Sequence, residues 1–155
     1  MFREIRRQER VLDENRMQEL LETGEYGVLS STSTDGYAYG VPLSFVRDKD
    51  QIYFHCSMIG HKIDNISVNP LVSFCIVGET QILPSAFSTG YESVIVFGNM
   101  ETVTTDEEKK KALRLIVKKY SPDFVKEGEA YIERAILKTN VLRLNIQRIT
   151  GKGRE

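Results

Sequence analysis

Cysteine is scarce in this chain: Cys56 and Cys75 are the two, each within an apolar run. They are too far apart for a CxxC redox pair, and without clustered His and Cys they cannot make a finger-type zinc site. They read as two buried thiols in a reducing compartment. Histidine is equally scarce, and His55 and His61 sit on different elements with no acidic ligand at a useful spacing. No metal site is expected. Net charge of one sign is lacking too, since 21 Lys and Arg face 22 Asp and Glu and leave −1. No global field recruits nucleic acid or an anionic membrane, so any anion site must be local. No apolar run approaches the roughly 20 residues that span a bilayer. The arginine-rich first residues are not followed by an apolar signal segment, so the expected location is cytoplasmic. GxGxxG, GxxxxGKS/T, HExxH and GxSxG are all missing, which removes the dinucleotide, P-loop, zincin and serine-hydrolase signatures.

What is present suits one domain over residues 1–155, with 41% hydrophobic and 28% charged residues. Residues 1–12 form a basic arm whose Arg3, Arg6, Arg7 and Arg10 would make a stripe if helical; a solvated arm lying over a partner subunit is the expectation. Asp13 caps a helix running to about Thr23, with Gly24 as its stop. Residues 27–33 and 37–46 read as strands joined by Thr34-Asp35-Gly36, and residues 52–56 as a third in a meander. Pro42 cannot donate to a ladder, which implies an edge, a bulge, or a neighbour other than a strand. A short helix starts at His61 and is closed by Asn69-Pro70. Residues 71–77 alternate as a strand, residues 78–90 read as a loop with a strand-like piece at 80–83, and residues 91–103 as a strand. Thr105-Asp106-Glu107-Glu108 opens a helix that ends at Ser121-Pro122, and residues 129–137 suggest another. Residues 141–149 make a last strand, leaving Thr150-Gly151-Lys152-Gly153-Arg154 as a basic tail. The sum is an α+β domain of about six antiparallel strands, plausibly closed into a barrel.

The stretch Ile52-Tyr53-Phe54-His55-Cys56-Ser57-Met58-Ile59-Gly60-His61-Lys62 is the best candidate site. A strand turning into a helix exposes N–H groups at the helix start, where an anion is stabilised. Ser57, His61 and Lys62 add a hydroxyl and cationic donors, which suits a phosphate. The bland alternative has Ser57 capping the helix while His61 and Lys62 face water. His55 either lines an inner pocket or satisfies a bond in the wall.

Met1-Phe2-Arg3-Glu4-Ile5-Arg6-Arg7, Tyr39-Gly40-Val41-Pro42-Leu43-Ser44, Ile52-Tyr53-Phe54-His55-Cys56, Gly60-His61-Lys62-Ile63-Asp64-Asn65-Ile66, Tyr91-Glu92-Ser93-Val94-Ile95-Val96-Phe97-Gly98 and Thr150-Gly151-Lys152 occur in this order. Together they resemble the 5-nitroimidazole resistance (Nim)-like proteins of the pyridoxamine 5′-phosphate oxidase-like, FMN-binding split-barrel superfamily. That resemblance implies a six-stranded antiparallel split β-barrel with flanking helices, and a homodimer with flavin between subunits. It places Val41, Pro42, Leu43 and Ser44 along the flavin ring and Ser57, His61 and Lys62 at the phosphate, with His55 in the same cofactor-binding set. It brings Tyr91, Glu92, Ser93 and, more weakly, Lys152 to the flavin from the other subunit. The activity implied is an FMN-dependent oxidoreductase, with FAD as the alternative flavin. NADH or NADPH donates electrons and a small planar acceptor such as a nitroaromatic receives them, with His61 as a proton donor. The oxidases' substrate-binding Arg-His segment has no counterpart in residues 144–154, which disfavours vitamin B6 oxidation. A flavin- or haem-binding carrier or sensor without turnover is the competing expectation.

Overall fold

The computed structural model describes residues 2–154. Seven antiparallel strands form one curled sheet in the order β2-β1-β5-β6-β7-β4-β3, one strand more than the six expected. They are β1 (Gly27–Thr32), β2 (Ala38–Leu43), β3 (Val46–Asp48), β4 (Gln51–Cys56), β5 (Leu71–Leu83), β6 (Ser88–Thr102) and β7 (Asn140–Arg154). The helices are α1 (Glu14–Thr23), α2 (His61–Val68), α3 (Asp106–Tyr120) and α4 (Val125–Ala135).

The extra strand comes from splitting residues 37–46, and the split explains the curl. β2 ends at Leu43, β3 begins at Val46, and these two strands lie at opposite edges of the sheet. Three Cα steps of 3.8 Å cover at most about 11 Å, so the sheet must bend until its edges nearly meet, giving a half-barrel. Phe45, in the link, is fully buried and packs edge-on against Phe74 with ring centroids 5.0 Å apart. Burial of this ring, at about 1.5–3 kcal/mol, is the local reason for the break. Pro42 therefore sits on an edge strand that pairs only with β1. The expected three-strand meander is not formed, because β4 pairs with β7 and β3 rather than with β2.

Three further expectations differ from the structure. The loop at residues 78–90 is the outer part of a β5–β6 hairpin, paired as far as Leu83 with Ser88 and turned at Phe87, whose φ of 47° is left-handed. Most of its side chains are exposed, so it has no buried face to impose alternation. The basic tail is the end of β7, paired residue by residue with β6. Its glycines serve close packing: a Cβ on Gly151 would stand 2.4 Å from Met17 and one on Gly153 2.7 Å from Leu12. The last helix starts at Val125, four residues before the expected 129, where Gly128 lets α4 approach Val117 of α3.

The inner core gathers Leu29, Phe45, Phe54, Phe74, Ile76, Val96 and Leu144, with Leu20 and Leu21 of α1 over one end. On the outer face, α3 and α4 bury Tyr53, Val103, Ala112, Ile116, Ile132 and Val141. The described part of the basic arm forms no helical arginine stripe. It lies on its own chain, where Phe2 stacks on Phe97 at 5.3 Å, Arg148 donates to Glu4 at 2.8 Å and Val11 bridges Lys152. No helix among the described residues is long and apolar enough to cross a membrane.

Candidate cofactor site

The β4-to-α2 turn carries a helix start with no side-chain cap. Gly60 is the N-cap, at φ 142°, a conformation that L side chains rarely adopt, and its carbonyl accepts from Ile63 at 2.9 Å and Asp64 at 3.1 Å. The N–H groups of His61 and Lys62 keep their outward direction with no acceptor among the described residues. The capping role considered for Ser57 is not realised: Ser57 is exposed three residues before the cap. Helix dipole, orphan N–H groups and the Lys62 ammonium all favour negative charge there.

His61 is held more firmly than its sequence suggests. Its Nε2 lies 2.8 Å from Ser33 Oγ, and its ring stacks on Tyr39 with centroids 4.1 Å apart. Asn65, one turn on, donates to buried Ser31 at 3.0 Å and ties α2 to β1. Ser33 and Tyr39, which sequence reasoning did not single out as site residues, flank the Thr34-Asp35-Gly36 turn. Their position at the end of a hairpin was the available signal that both reach one neighbour. Lys62 is close enough to Cys56 to oppose the rise that burial gives its thiol. Both cysteines are free and half-buried rather than fully buried.

Val41, Pro42 and Leu43 lie on the edge strand, whose alternate backbone groups point away from β1 with no strand to receive them. Ser44 is in the link. His55 shares the outer face of β4 with Tyr53 and lines, with Ser44, a cavity of about 520 Å³ beneath α3 and α4. It therefore faces a pocket and, among the described residues, makes no hydrogen bond in the wall. Part of its ring meets solvent, yet the surrounding helices desolvate it and push its pKa below the ordinary 6.5.

Tyr91, Glu92, Ser93 and Lys152 stand elsewhere. Eight residues of β6 separate Tyr91 from Asn99, which pairs with Leu71 near the α2 end of the sheet. At about 3.3–3.4 Å per residue this is roughly 27 Å. One chain thus does not bring these residues together with His61 and Lys62. Glu92 is engaged by Arg16, whose Nε donates to both carboxylate oxygens at 2.9 Å. Burial would raise the Tyr91 phenol, but hydrogen bonds from Arg10 and Lys152 bring it below its ordinary value. Ser93 Oγ donates to the Lys152 carbonyl at 3.5 Å. Tyr91, Glu92 and Arg16 line, with Glu9–Leu12 of the arm, a second cavity of about 910 Å³. Among the described residues no three His, Cys, Asp or Glu side chains are placed to hold a metal ion.

A family model described as pyridoxamine 5′-phosphate oxidase matches residues 13–153, nearly all of the sheet and every helix. The chain belongs to this family. No curated protein is similar enough to match. Among solved structures, a candidate 5-nitroimidazole antibiotic resistance protein from Bacteroides thetaiotaomicron is 25% identical, with a TM-score of 0.79 over 92% of this chain and 86% of that one. An FAD-binding protein from Mesorhizobium loti is 23% identical, with a TM-score of 0.65 over 94% and 98%. An FAD and haem binding protein from Mycobacterium smegmatis is 22% identical, with a TM-score of 0.74 over 92% of this chain and 72% of that one. As a pyridoxamine 5′-phosphate oxidase family member, the chain has a strand-to-helix turn and a free sheet edge that stand at neighbouring parts of one fold.

Proposed function

We propose that this chain is a flavin-dependent oxidoreductase that binds FMN, in preference to FAD, between the β2 edge and the start of α2. It would take electrons from NADH or NADPH and reduce a small planar acceptor such as a nitroaromatic. One observation carries the reading: the α2 start offers the His61 and Lys62 N–H groups and the Lys62 ammonium, with no side chain of its own filling that role. The residues fit the group. The α2 start suits a terminal phosphate, and the unpaired edge at Val41–Ser44 suits a flat ring bearing donors and acceptors, as Pro42 on that edge accords with. The names of the FAD-binding relatives support a flavin as the cofactor without favouring FMN.

A bound flavin supplies two-electron redox chemistry, and the protein binds and orients it. Lys62 and the helix start anchor the phosphate. Ser33 and Tyr39 fix the His61 ring by one nitrogen and one face, leaving Nδ1 to hold or release a proton toward an acceptor. Tyr91, Glu92, Ser93 and Lys152 reach the same flavin only from a second copy of the chain, so the reading includes a homodimer with the cofactor at the interface. Nothing in it calls for a nucleic-acid or membrane partner, and it suits a protein working in the cytoplasm. Vitamin B6 oxidation is not proposed, because residues 144–154 are a β-strand without the Arg-His segment.

Purified protein should be yellow, with flavin absorbance and a released mass equal to FMN. It should also oxidise NADH or NADPH faster with a 5-nitroimidazole than free FMN does. A colourless protein indifferent to added FMN would refute the proposal. A second reading, a flavin- or haem-binding carrier without turnover, is favoured because, among the described residues, no second acid or base is hydrogen-bonded to His61, whose partner is a serine hydroxyl. Bound cofactor with no acceleration over free FMN would select it.

A further inference from the structure

The cavity beneath the helices has chemistry of its own. It encloses about 520 Å³, within the size range of small-molecule sites, and most of its lining is apolar. Ser44, His55 and Tyr120 line it together with Phe124, which precedes α4, and Glu127 and Tyr131 of α4. Phe124 and Tyr131 leave 61% and 62% of their surfaces open. Two large rings left open at a concavity offer faces on which a flat molecule can stack. The shape is rigid. Gly128 packs so closely that a Cβ would come within 2.6 Å of Val117, which fixes the spacing of the two helices that roof the cavity.

Its charge is equally definite. Among the described residues no lysine or arginine lines it, and Glu127 is the one carboxylate that does. Lys119, on the adjoining turn of α3, lines the neighbouring cavity instead; its Nζ donates to the Phe45 carbonyl at 3.0 Å and sits 3.7 Å from the Phe45 ring. Desolvation holds the His55 imidazole below its ordinary 6.5, which disfavours a cation at the cavity wall. An anion entering would lose hydration with no cation to receive it, and would meet Glu127.

We infer that this cavity is the acceptor site and that it selects planar aromatic molecules that are neutral or carry one positive charge over phosphorylated or carboxylated ones. As the place where an acceptor meets the flavin it rests on the preceding reading, since Ser44 and His55 are shared with the proposed cofactor contacts. As a charge-selective aromatic site it stands alone. His55 and the Tyr131 hydroxyl are polar groups that can orient a nitro or ring-nitrogen substituent, while the stacking faces supply most of the affinity.

Calorimetric titration of the full-length chain in saturating FMN tests this directly, using 1-methyl-5-nitroimidazole, its 2-carboxylate and pyridoxamine 5′-phosphate as probes. The neutral ring should bind at least tenfold more tightly than either anion. Glu127→Lys should shrink that preference at least threefold, and Phe124→Ser should weaken the neutral ring at least fivefold while FMN stoichiometry is unchanged. Both side chains are exposed, so these substitutions spare the core. Equal or tighter binding of the anions by the unmodified chain would overturn the inference, as would affinities unmoved in both variants. A chain that takes up no FMN yet still prefers the neutral ring upholds the selectivity and removes the flavin reading instead.

Discussion

Tyr120→Phe removes one oxygen from the joint that holds the two edges of the sheet together. The hydroxyl accepts from the Phe45 N–H at 3.0 Å and lies 2.5 Å from the Glu25 carbonyl and 3.0 Å from the Phe45 carbonyl; its single proton serves one of them. Phe45 is fully buried, so its N–H would lose its partner, at a cost of about 1–3 kcal/mol. The carbonyl side adds little, since Lys119 also donates to the Phe45 oxygen and Glu25 is exposed to water. With a urea slope of about 2 kcal/mol/M, the denaturation midpoint should fall by about 0.5–1.5 M at an unchanged slope. Circular dichroism at rising urea measures it. Tyr131→Phe, at an exposed ring, is the control and should leave the midpoint in place. FMN affinity should weaken in the Tyr120 variant as well, because the hydroxyl fixes the link that follows Val41–Leu43. A midpoint within about 0.2 M of the unmodified protein would show that the joint is held by side-chain packing rather than by this hydroxyl.

Other substitutions probe other parts of the structure. Gly98→Ala would put a Cβ 2.1 Å from the Asn145 carbonyl at the β6–β7 bulge and should cost more than about 3 kcal/mol by thermal unfolding, whereas Gly90→Ala, whose nearest atom is 3.4 Å away, should cost less than about 1. Burial raises Glu108, but Arg143 and Tyr53 more than offset this and hold it below its ordinary 4.5; Arg143 and Asn145 lower Glu101 likewise. Both carboxylates are therefore more acidic folded than unfolded. The stability they add is present above about pH 4.5 and lost as pH falls through the folded values, so Arg143→Leu should flatten the acid limb of a stability profile. Lys62→Ala should weaken FMN by about ten- to a hundredfold, the equivalent of one charge-assisted hydrogen bond, as fluorescence titration would report; unchanged affinity would take Lys62 out of the phosphate site.

Much of this architecture could be read from residue order, because the elements with one buried face announce themselves. Asp13 and Thr105 cap their helices as their spacing requires, accepting from Arg16 and Glu108. The alternation of Val72, Phe74 and Ile76 marks β5 because those three side chains enter the core. Legibility failed where that asymmetry is missing. The outer hairpin is exposed on both faces, the end of β7 is glycine-rich because the arm and α1 press on it, and a strand broken by Phe45 keeps its β-prone composition. The site divides in the same manner. The helix start and the edge strand are local features, so His61, Lys62 and Pro42 could be found one segment at a time. The hold of Ser33 and Tyr39 on His61 joins segments about 20 to 30 residues apart, and the shared cavity of Ser44 and His55 with α3 and α4 joins segments farther apart still, where only the hairpin end gives a local sign of the first and none gives the second.

The place of β7 also governs when the protein can fold. This strand lies between β6 and β4, with Tyr91 opposite Arg154 and Cys56 opposite Asn140. Until residues 140–154 have left the ribosome, β3 and β4 have no sheet to join, and the apolar side chains of the inner core lack one wall. Until β7 is made, a nascent chain would carry exposed strand edges, and in that period aggregation competes with folding. Native structure should therefore appear only once β7 is available, at the rate that such long-range pairing allows.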